Sequence, residues 1–385
     1  AVTEVHSRGM EFNYLINTTC IGNRELTRHG YRRVRKLLDW LCEMRVDRVT
    51  PALPFLAELV GRKYPNLKIA VSTQADVNSL EKVRYWAELG ADCITLSHVD
   101  MNRNFRELRR ITRNSSCKVQ LIANMLCKRR CPFVTLHGNL NAHASQSGVP
   151  TNRYNMDYYF VSCLARNFSD PLSVIRSNWI RPEDISLYEE LGVHRFKIAE
   201  RGLCSESLDR IIRAYVRGRH DGNFMDLVPT MSKYVFMQRR NFRATVRELF
   251  KARFVNMFRL RKVFEHWSAL IKSSEYYHNL CLYIENRNLD GVIQKFMSMD
   301  CYRKTCEKCD YCEKLARDTV IYLAGIESHR KDVSRLIETS RGCPHQCGFC
   351  CINLVHGRKM RFRPIGEVLE HVDRIHNRRH RPRLF

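Results

Sequence analysis

Cysteine is the residue type that most clearly points to chemistry in this chain of 385 residues, which contains 17 of them. Cys343, Cys347 and Cys350 form the motif C-x3-C-x2-C close to the C-terminus. Thiolates are the usual protein ligands of iron–sulfur clusters, and three of them leave one iron of a [4Fe-4S] cluster without a protein ligand. The motif therefore predicts a cluster whose free iron can bind a small molecule.

A second group consists of Cys301, Cys306, Cys309 and Cys312, spaced C-x4-C-x2-C-x2-C. Four thiolates this close can enclose either one tetrahedral zinc ion or one iron–sulfur cluster, and spacing does not decide between them. The tight C-x2-C-x2-C portion favours iron–sulfur. Because cysteine would supply all four ligands, no position stays open for a substrate. We expect this centre to transfer electrons or to stabilise the region.

A third group is formed by Cys127 and Cys131, on a loop that follows a predicted strand, with Cys163 as a candidate third ligand. We expect a reducing compartment, where clustered cysteines bind metal more often than they form disulfides. Reduced thiols without metal are the alternative. We expect an iron site here, with Cys20 as the fourth ligand and Cys204 as the other candidate.

The elements that must position these cysteines alternate between strands and helices over the first part of the chain. Short apolar runs predict six strands, at 11–17, 47–52, 67–73, 92–97, 118–124 and 193–200. Helical spacing of apolar residues predicts helices that include 28–44, 79–90, 105–113, 181–192 and 205–218. This alternation is typical of parallel strands joined by crossover helices. We expect an α/β fold with a TIM-like (β/α) barrel, and a doubly wound open sheet is the alternative.

Two blocks of sequence resemble peptidase family U32, namely "LIANMLCKRRCPFVTLHGNLNAHASQ" at 121–146 and "SNWIRPEDISLYEELGVHRFKIAER" at 177–201. The resemblance covers about residues 8–228. It implies a barrel with a cysteine-bound [4Fe-4S] cluster that acts in oxygen-independent hydroxylation of RNA or of a small quinone precursor. Strand-end position and these blocks together indicate the candidate catalytic residues, which are Asn124, His143, Arg181, Glu200 and Arg201.

Two other functions remain open at this point. The family carries a protease label, but the sequence shows neither a nucleophile with a recognisable base nor a metal motif such as H-E-x-x-H. The third interpretation is an RNA-binding scaffold whose cysteines hold structural zinc.

The C-terminal motif is similar to a second family. "SRGCPHQCGFC" at 340–350 resembles the cluster motif of the radical S-adenosylmethionine superfamily, and "GRKMRFRPIGEVLEHVDRI" continues in the same manner. The resemblance implies S-adenosylmethionine as the ligand of the free iron, and "RLIET" at 335–339 as the first strand of a barrel. The later strands of such a barrel are absent. We therefore expect a fragment of a longer protein with the regions 1–230 (U32-like barrel), 231–320 (basic, helical and cysteine-rich) and 321–385 (truncated radical SAM start).

The chain is strongly basic, with 65 Lys and Arg against 40 Asp and Glu and a formal net charge of +25. Dense runs lie at 239–262 and 377–383. Such an excess favours RNA as a partner, because phosphate contacts release counterions, and solvated helix faces are the alternative. A small-molecule substrate and an electron donor protein are further expected partners. No apolar run is long enough to span a bilayer, so we expect a cytoplasmic protein.

Overall fold

The computed structural model describes residues 2–146, 159, 163, 170, 172–199, 205–228, 280–302, 306 and 309–324, and four short strands beyond them. Its main sheet has six strands, which lie side by side in chain order. They are β1 (Asn13–Ile16), β2 (Arg48–Pro51), β3 (Lys68–Val71), β4 (Ala91–Thr95), β5 (Lys118–Ile122) and β6 (Arg195–Lys197). The six strands predicted from apolar runs are thereby confirmed.

All five strand pairs of this sheet are parallel. A doubly wound sheet reverses its strand order at a switch point, and no reversal occurs among the six described strands. The sheet is therefore a curled half-barrel of the α/β class, consistent with the predicted TIM-like fold. In such a fold the carboxyl ends of the strands lie at one edge, where the following loops can form a site.

Helices connect the strands and continue beyond them. In chain order they are α1 (Val2–Ser7), α2 (Arg28–Glu43), α3 (Pro54–Lys63), α4 (Leu80–Glu88), α5 (Phe105–Asn114), α6 (Val134–Ser145), α7 (Leu172–Ile175), α8 (Ile185–Glu190), α9 (Ser205–Arg217), α10 (Val292–Ser298) and α11 (Tyr311–Thr319). Side-chain caps start several of them. Thr27 accepts from the backbone N–H of Gly30 at the start of α2, and Ser79 accepts from Lys82 at the start of α4. None of the described helices combines the length and the apolar character that crossing a membrane requires.

The core lies between the sheet and the helices that cover it. All four residues of β2 are buried, as expected for a parallel strand with both faces covered. Helix α2 contributes Leu38 and Leu41, and α5 contributes Leu108 and Ile111. These are the apolar positions whose spacing predicts the two helices, so the periodicity in the sequence corresponds to burial in the fold.

The described residues between 280 and 324 pack onto the same core. Strand β7 (Leu280–Ile284) pairs antiparallel with β8 (Val320–Ala324), and α10 buries Val292, Ile293 and Phe296. These three side chains belong to one apolar cluster with the sheet. The four-cysteine segment at 301–312 is thereby attached to the half-barrel, whereas residues 231–279 of the predicted basic region lie outside the described residues.

Four two-residue strands lie later in the chain. They are β9 (Leu336–Ile337), β10 (Ser340–Arg341), β11 (Arg361–Phe362) and β12 (Arg383–Leu384). β9 pairs parallel with β12, and β10 pairs antiparallel with β11. β9 overlaps the strand predicted at 335–339, but Cys343, Cys347 and Cys350 lie outside the described residues.

Candidate functional site

The loop that carries Cys127 and Cys131 follows β5 at the carboxyl end of the sheet. The backbone N–H of Asn178 donates to the carbonyl oxygen of Cys127 at 3.2 Å. On the other side, the backbone N–H of Arg130 donates to the carbonyl oxygen of Val99 at 2.9 Å. The backbone of the loop is thus anchored between the segment after β4 and the segment that precedes α8.

The structure brings Cys163 to this loop. The rings of Phe133 and Tyr159 pack with centroids 5.2 Å apart, so Tyr159 lies beside the loop of Cys131. Burial raises the pKa of the Cys127 thiol, and the nearby Cys163 and Cys131 raise it further, because neighbouring negative charges disfavour another thiolate. Three of the four thiols predicted for the barrel site therefore share one environment.

Cys20 lies on the loop after β1, and this loop packs against α6. Thr19 Oγ1 donates to Asn139 Oδ1 at 2.7 Å, and Gln146 Nε2 donates to the carbonyl oxygen of Cys20. Gln146 follows the last residue of α6, whereas Cys131 precedes the first. Since a helix rises 1.5 Å per residue, the two ends of α6 are about 18 Å apart. Cys20 and Cys131 thus adjoin opposite ends of α6, and the fourth ligand stays a prediction.

His98 follows β4 at the same edge of the sheet and is buried. Thr73 Oγ1 donates to the carbonyl oxygen of Leu96 at 2.9 Å, so this hydroxyl accepts from His98 Nδ1, which is also 2.9 Å away. The neutral imidazole then carries its proton on Nδ1 and has a lone pair on Nε2. Burial lowers the pKa of His98 to about 4, while Asp76 opposes the shift and His137 adds to it. His98 is therefore a neutral imidazole at the strand ends.

Asn124 lies two residues after the end of β5 and is fully buried. Its Oδ1 accepts from the backbone N–H of Ala199 at 2.8 Å, but its Nδ2 has no hydrogen-bond partner within the described residues. A buried donor without a partner is costly, and natural sites often reserve such groups for a ligand. Asn124 thus keeps one donor available three residues before Cys127.

The other predicted catalytic residues have different settings. Arg181 is buried and donates to both carboxylate oxygens of Asp184, at 2.9 and 3.0 Å. It also donates to the carbonyl oxygen of Asn286 at 2.7 Å and to Asp290 Oδ1 at 2.9 Å. These contacts connect the half-barrel to residues 286–290 and indicate a structural role. His143 is exposed on α6. Outside the described residues lie Glu200, Arg201 and Cys204.

The four-cysteine segment lies against the loop of the barrel cysteines. Arg129 Nη1 donates to the carbonyl oxygen of Cys301 at 2.6 Å and to its Sγ at 3.4 Å, and Nη2 donates to Cys306 Sγ at 3.8 Å. Arg130 Nη2 donates to the carbonyl oxygen of Tyr302 at 3.2 Å. The two cysteine groups, which are far apart in sequence, are therefore neighbours in the fold.

Arg103 is buried next to this segment. Its guanidinium lies over the ring of Phe296 at 4.3 Å and over the ring of Trp179 at 4.7 Å. Nη1 donates to the carbonyl oxygen of Ile175 at 3.1 Å, but Nε and Nη2 have no hydrogen-bond partner within the described residues. A buried arginine is rarely left with two unused donors.

Thiols contribute to the electrostatic surroundings of Arg103. Burial lowers the pKa of Arg103, whereas Tyr188, Cys312 and Cys301 raise it. Burial raises the pKa of Cys312, and the cations of Arg103 and Arg176 lower it. Arg103 and at least two thiols of the four-cysteine segment are thus close enough to influence one another.

Within the described residues, no three Cys, His, Asp or Glu side chains already stand where they could hold a metal ion. The barrel thiols are still the right ligand type for an iron–sulfur cluster, and three of them share one environment near Asn124, whose Nδ2 has no hydrogen-bond partner within the described residues. Ligation would require these thiols to converge, which is common where metal binding is coupled to folding.

Four residues of this region are not among those predicted from the sequence: Thr73, His98, Arg103 and Arg129. Arg129 had a signal, since it lies between two predicted ligands in "CKRRC". Arg103 had none, because the rings that enclose it belong to Trp179 and Phe296, far along the chain. Thr73 is recognised only once the histidine it contacts is known.

Comparisons with known proteins agree with the predicted resemblance. The family model described as peptidase family U32 matches residues 1–267. An uncharacterized protease of Methanocaldococcus jannaschii is 30% identical over 315 residues, which cover 82% of this chain and 79% of that protein. The tRNA hydroxylation protein P of Haemophilus influenzae is 24% identical over 157 residues, which cover 41% of this chain and 33% of that protein.

A solved structure of a U32 peptidase covers 52% of this chain and 74% of its own, with 28% identity and a TM-score of 0.40. The family match ends well before the C-x3-C-x2-C motif, so the radical SAM resemblance of residues 335–385 stays a prediction. Over the half-barrel and the loop of Cys127 and Cys131, the chain belongs to peptidase family U32.

Proposed function

We propose that this protein is an iron–sulfur enzyme that modifies RNA by oxygen-independent hydroxylation. The observation that carries the proposal is the common environment of Cys127, Cys131 and Cys163 at the carboxyl end of the sheet. This edge is where (β/α) barrels place their active sites. A relative named for tRNA hydroxylation and a net charge of +25, which suits a polyanionic substrate, both support RNA as the substrate.

The residues around the barrel thiols can perform distinct tasks. A cluster held by Cys127, Cys131 and Cys163 would supply one-electron chemistry. His98 offers the lone pair of Nε2 as a hydrogen-bond acceptor at neutral pH, because its lowered pKa keeps the imidazole neutral. Thr73 is a positioning residue that fixes the tautomer of His98. Asn124 Nδ2 can donate to a substrate oxygen.

Peptide hydrolysis is the second candidate, because the family and the relative from Methanocaldococcus jannaschii are named for it. A serine- or threonine-type hydrolase needs a hydroxyl that donates its proton to a base. Thr73 and His98 are in contact, but the hydroxyl of Thr73 donates to the carbonyl oxygen of Leu96 and accepts from the imidazole. This arrangement does not activate Thr73 as a nucleophile, and hydroxylation is the better supported function.

The test is anaerobic expression of the full chain in a heterologous host, followed by mass spectrometry of the nucleosides in its RNA. We expect a nucleoside that carries one additional oxygen atom, and we expect Cys127→Ser to abolish it. Cys42→Ser is the matched control, because Cys42 lies on α2 among the residues that pack on the core, and it should retain the product. Unmodified RNA together with peptide hydrolysis by iron-free protein would refute the proposal and support the peptidase.

A further inference from the structure

We propose that the four-cysteine segment, residues 301–312, binds one anionic metal–thiolate centre and that Arg103 and Arg129 are its countercharges. The centre is separate from the barrel site and does not depend on the proposed function. Its ligands would be Cys301, Cys306, Cys309 and Cys312. Among the described residues no three of these thiols already stand where they could hold a metal ion, so metal binding would bring them together. The metal is either zinc or iron within an iron–sulfur cluster, since both form tetrathiolate complexes of this kind.

The first observation is the unsatisfied charge of Arg103. Its side chain is only 3% exposed, and two of its nitrogen atoms have no hydrogen-bond partner within the described residues. The described carboxylates form no ion pair with it. An unpaired buried cation is strongly destabilising, and contacts with the rings of Trp179 and Phe296 offset this cost only in part. Arg103 therefore requires an anion that neutral protein side chains do not supply.

The second observation identifies where this anion lies. Cys312 is buried, and the ring of its neighbour Tyr311 packs against the ring of Phe296 at 5.8 Å, the same ring that lies 4.3 Å from the guanidinium of Arg103. Free thiols are neutral near pH 7. Four thiolates around one Zn²⁺, or around a cluster core of charge +2, carry a net charge of about −2. A metal centre in this segment would provide the missing negative charge at the place where Arg103 is buried.

The third observation is the direct contact of a second arginine. Arg129 donates to Cys301 Sγ at 3.4 Å and to Cys306 Sγ at 3.8 Å. Sulfur is a weak acceptor as a thiol and a much stronger one as a thiolate. N–H donors aimed at ligand sulfurs are the usual outer contacts of metal–thiolate centres, where they also raise the reduction potential. Two arginines thus match the two negative charges.

The experiment uses the full chain, purified anaerobically from cells supplied with both iron and zinc. Metal and sulfide are counted per chain in the wild type, in Cys309→Ser and in Cys127→Ser. We expect Cys309→Ser to lose one centre that Cys127→Ser retains. Colour and acid-labile sulfide identify this centre as iron–sulfur, and a colourless centre with one zinc identifies the other form. Equal metal content in the wild type and Cys309→Ser overturns the proposal.

Arg103→Met tests the countercharge. It should weaken metal retention in competition with a chelator about 10- to 100-fold, the usual effect of removing an outer-shell partner. In chelator-treated protein the same change should leave the midpoint of urea unfolding unchanged or higher, because it removes an unpaired buried charge. Arg213→Met, at an exposed ion pair on α9, is the matched control and should change neither property. Metal retention by Arg103→Met equal to that of the wild type would exclude the countercharge role.

Discussion

Arg181 connects the half-barrel to the segment that precedes the four cysteines, and its replacement by methionine is the most informative test of the fold. Arg181 and Asp184 are both buried and form a two-point ion pair. Arg181 also donates to the carbonyl oxygen of Asn286 and to Asp290. Arg181→Met preserves most of the volume but leaves the Asp184 carboxylate and a backbone carbonyl without these donors.

The loss of stability in Arg181→Met is set by the carboxylate of Asp184, which stays buried without its partner. Breaking a buried ion pair by removing one partner costs about 3–5 kcal/mol, because the other charge remains without compensation. The contact with Asp290 adds little, since that carboxylate is mostly exposed. Total stabilities of domains are about 5–15 kcal/mol, so the loss is a large fraction of the whole. The double variant Arg181→Met/Asp184→Leu should recover much of it.

The loss of stability in Arg181→Met should also depend on pH. Burial raises the pKa of Asp184, and Arg181 opposes this effect. Without Arg181 the pKa of Asp184 rises further above its value of about 3.9 in unfolded chains. Between these two values the folded state binds more protons than the unfolded state, so stability falls as pH rises. The defect of Arg181→Met is therefore greatest at neutral pH and shrinks as pH falls through the raised pKa.

The assay is urea unfolding of chelator-treated protein, followed by circular dichroism at several pH values. Arg213→Met is the control, because its ion pair with Asp209 is exposed and should contribute less than about 1 kcal/mol. A loss in Arg181→Met no larger than that of the control, or a defect that grows on acidification, would refute this reasoning.

Three further predictions concern titration, RNA and the C-terminal motif. Because the pKa of His98 is about 4 in the folded protein and about 6.5 in unfolded chains, stability should fall by on the order of 3 kcal/mol as pH drops through this window. His98→Gln should flatten that dependence in urea titrations, and exposed His29→Gln should not. RNA affinity measured by fluorescence anisotropy should fall with salt, with a slope of about −0.7 in log K per phosphate contact for single strands; a flat response would assign the charge to solvated helix faces. Reconstituted protein should change its electron paramagnetic resonance spectrum on addition of S-adenosylmethionine, with little cleavage, and a response that persists in Cys347→Ala would show that the motif is misassigned.

Much of the half-barrel could be predicted from local patterns. The apolar run at 67–73 corresponds to β3, because Ile69, Ala70 and Val71 are buried in the sheet. Helix α6 was not predicted, since its apolar and polar residues are not segregated on separate faces. Family membership was likewise recognisable, because the block that contains Cys127 combines several residue types at fixed spacing.

The sequence by itself determined which thiols lie close together because few residues separate them along the chain. Cys127 and Cys131 are four residues apart, and consecutive Cα atoms are about 3.8 Å apart, so these two cannot separate widely. The same holds for the four cysteines between 301 and 312.

Only the tertiary structure decided which distant groups meet. Arg129 reaches Cys301 across 172 positions of sequence, and Arg103 lies between the rings of Trp179 and Phe296. The number of residues between two such groups does not determine whether they meet, because the entropic cost of closing a long loop changes little with its length. Cooperative packing of α10 against the half-barrel selects one of these geometries. The placement of the four-cysteine segment beside two arginines, and the unpaired charge that it leaves on Arg103, follow from that packing alone.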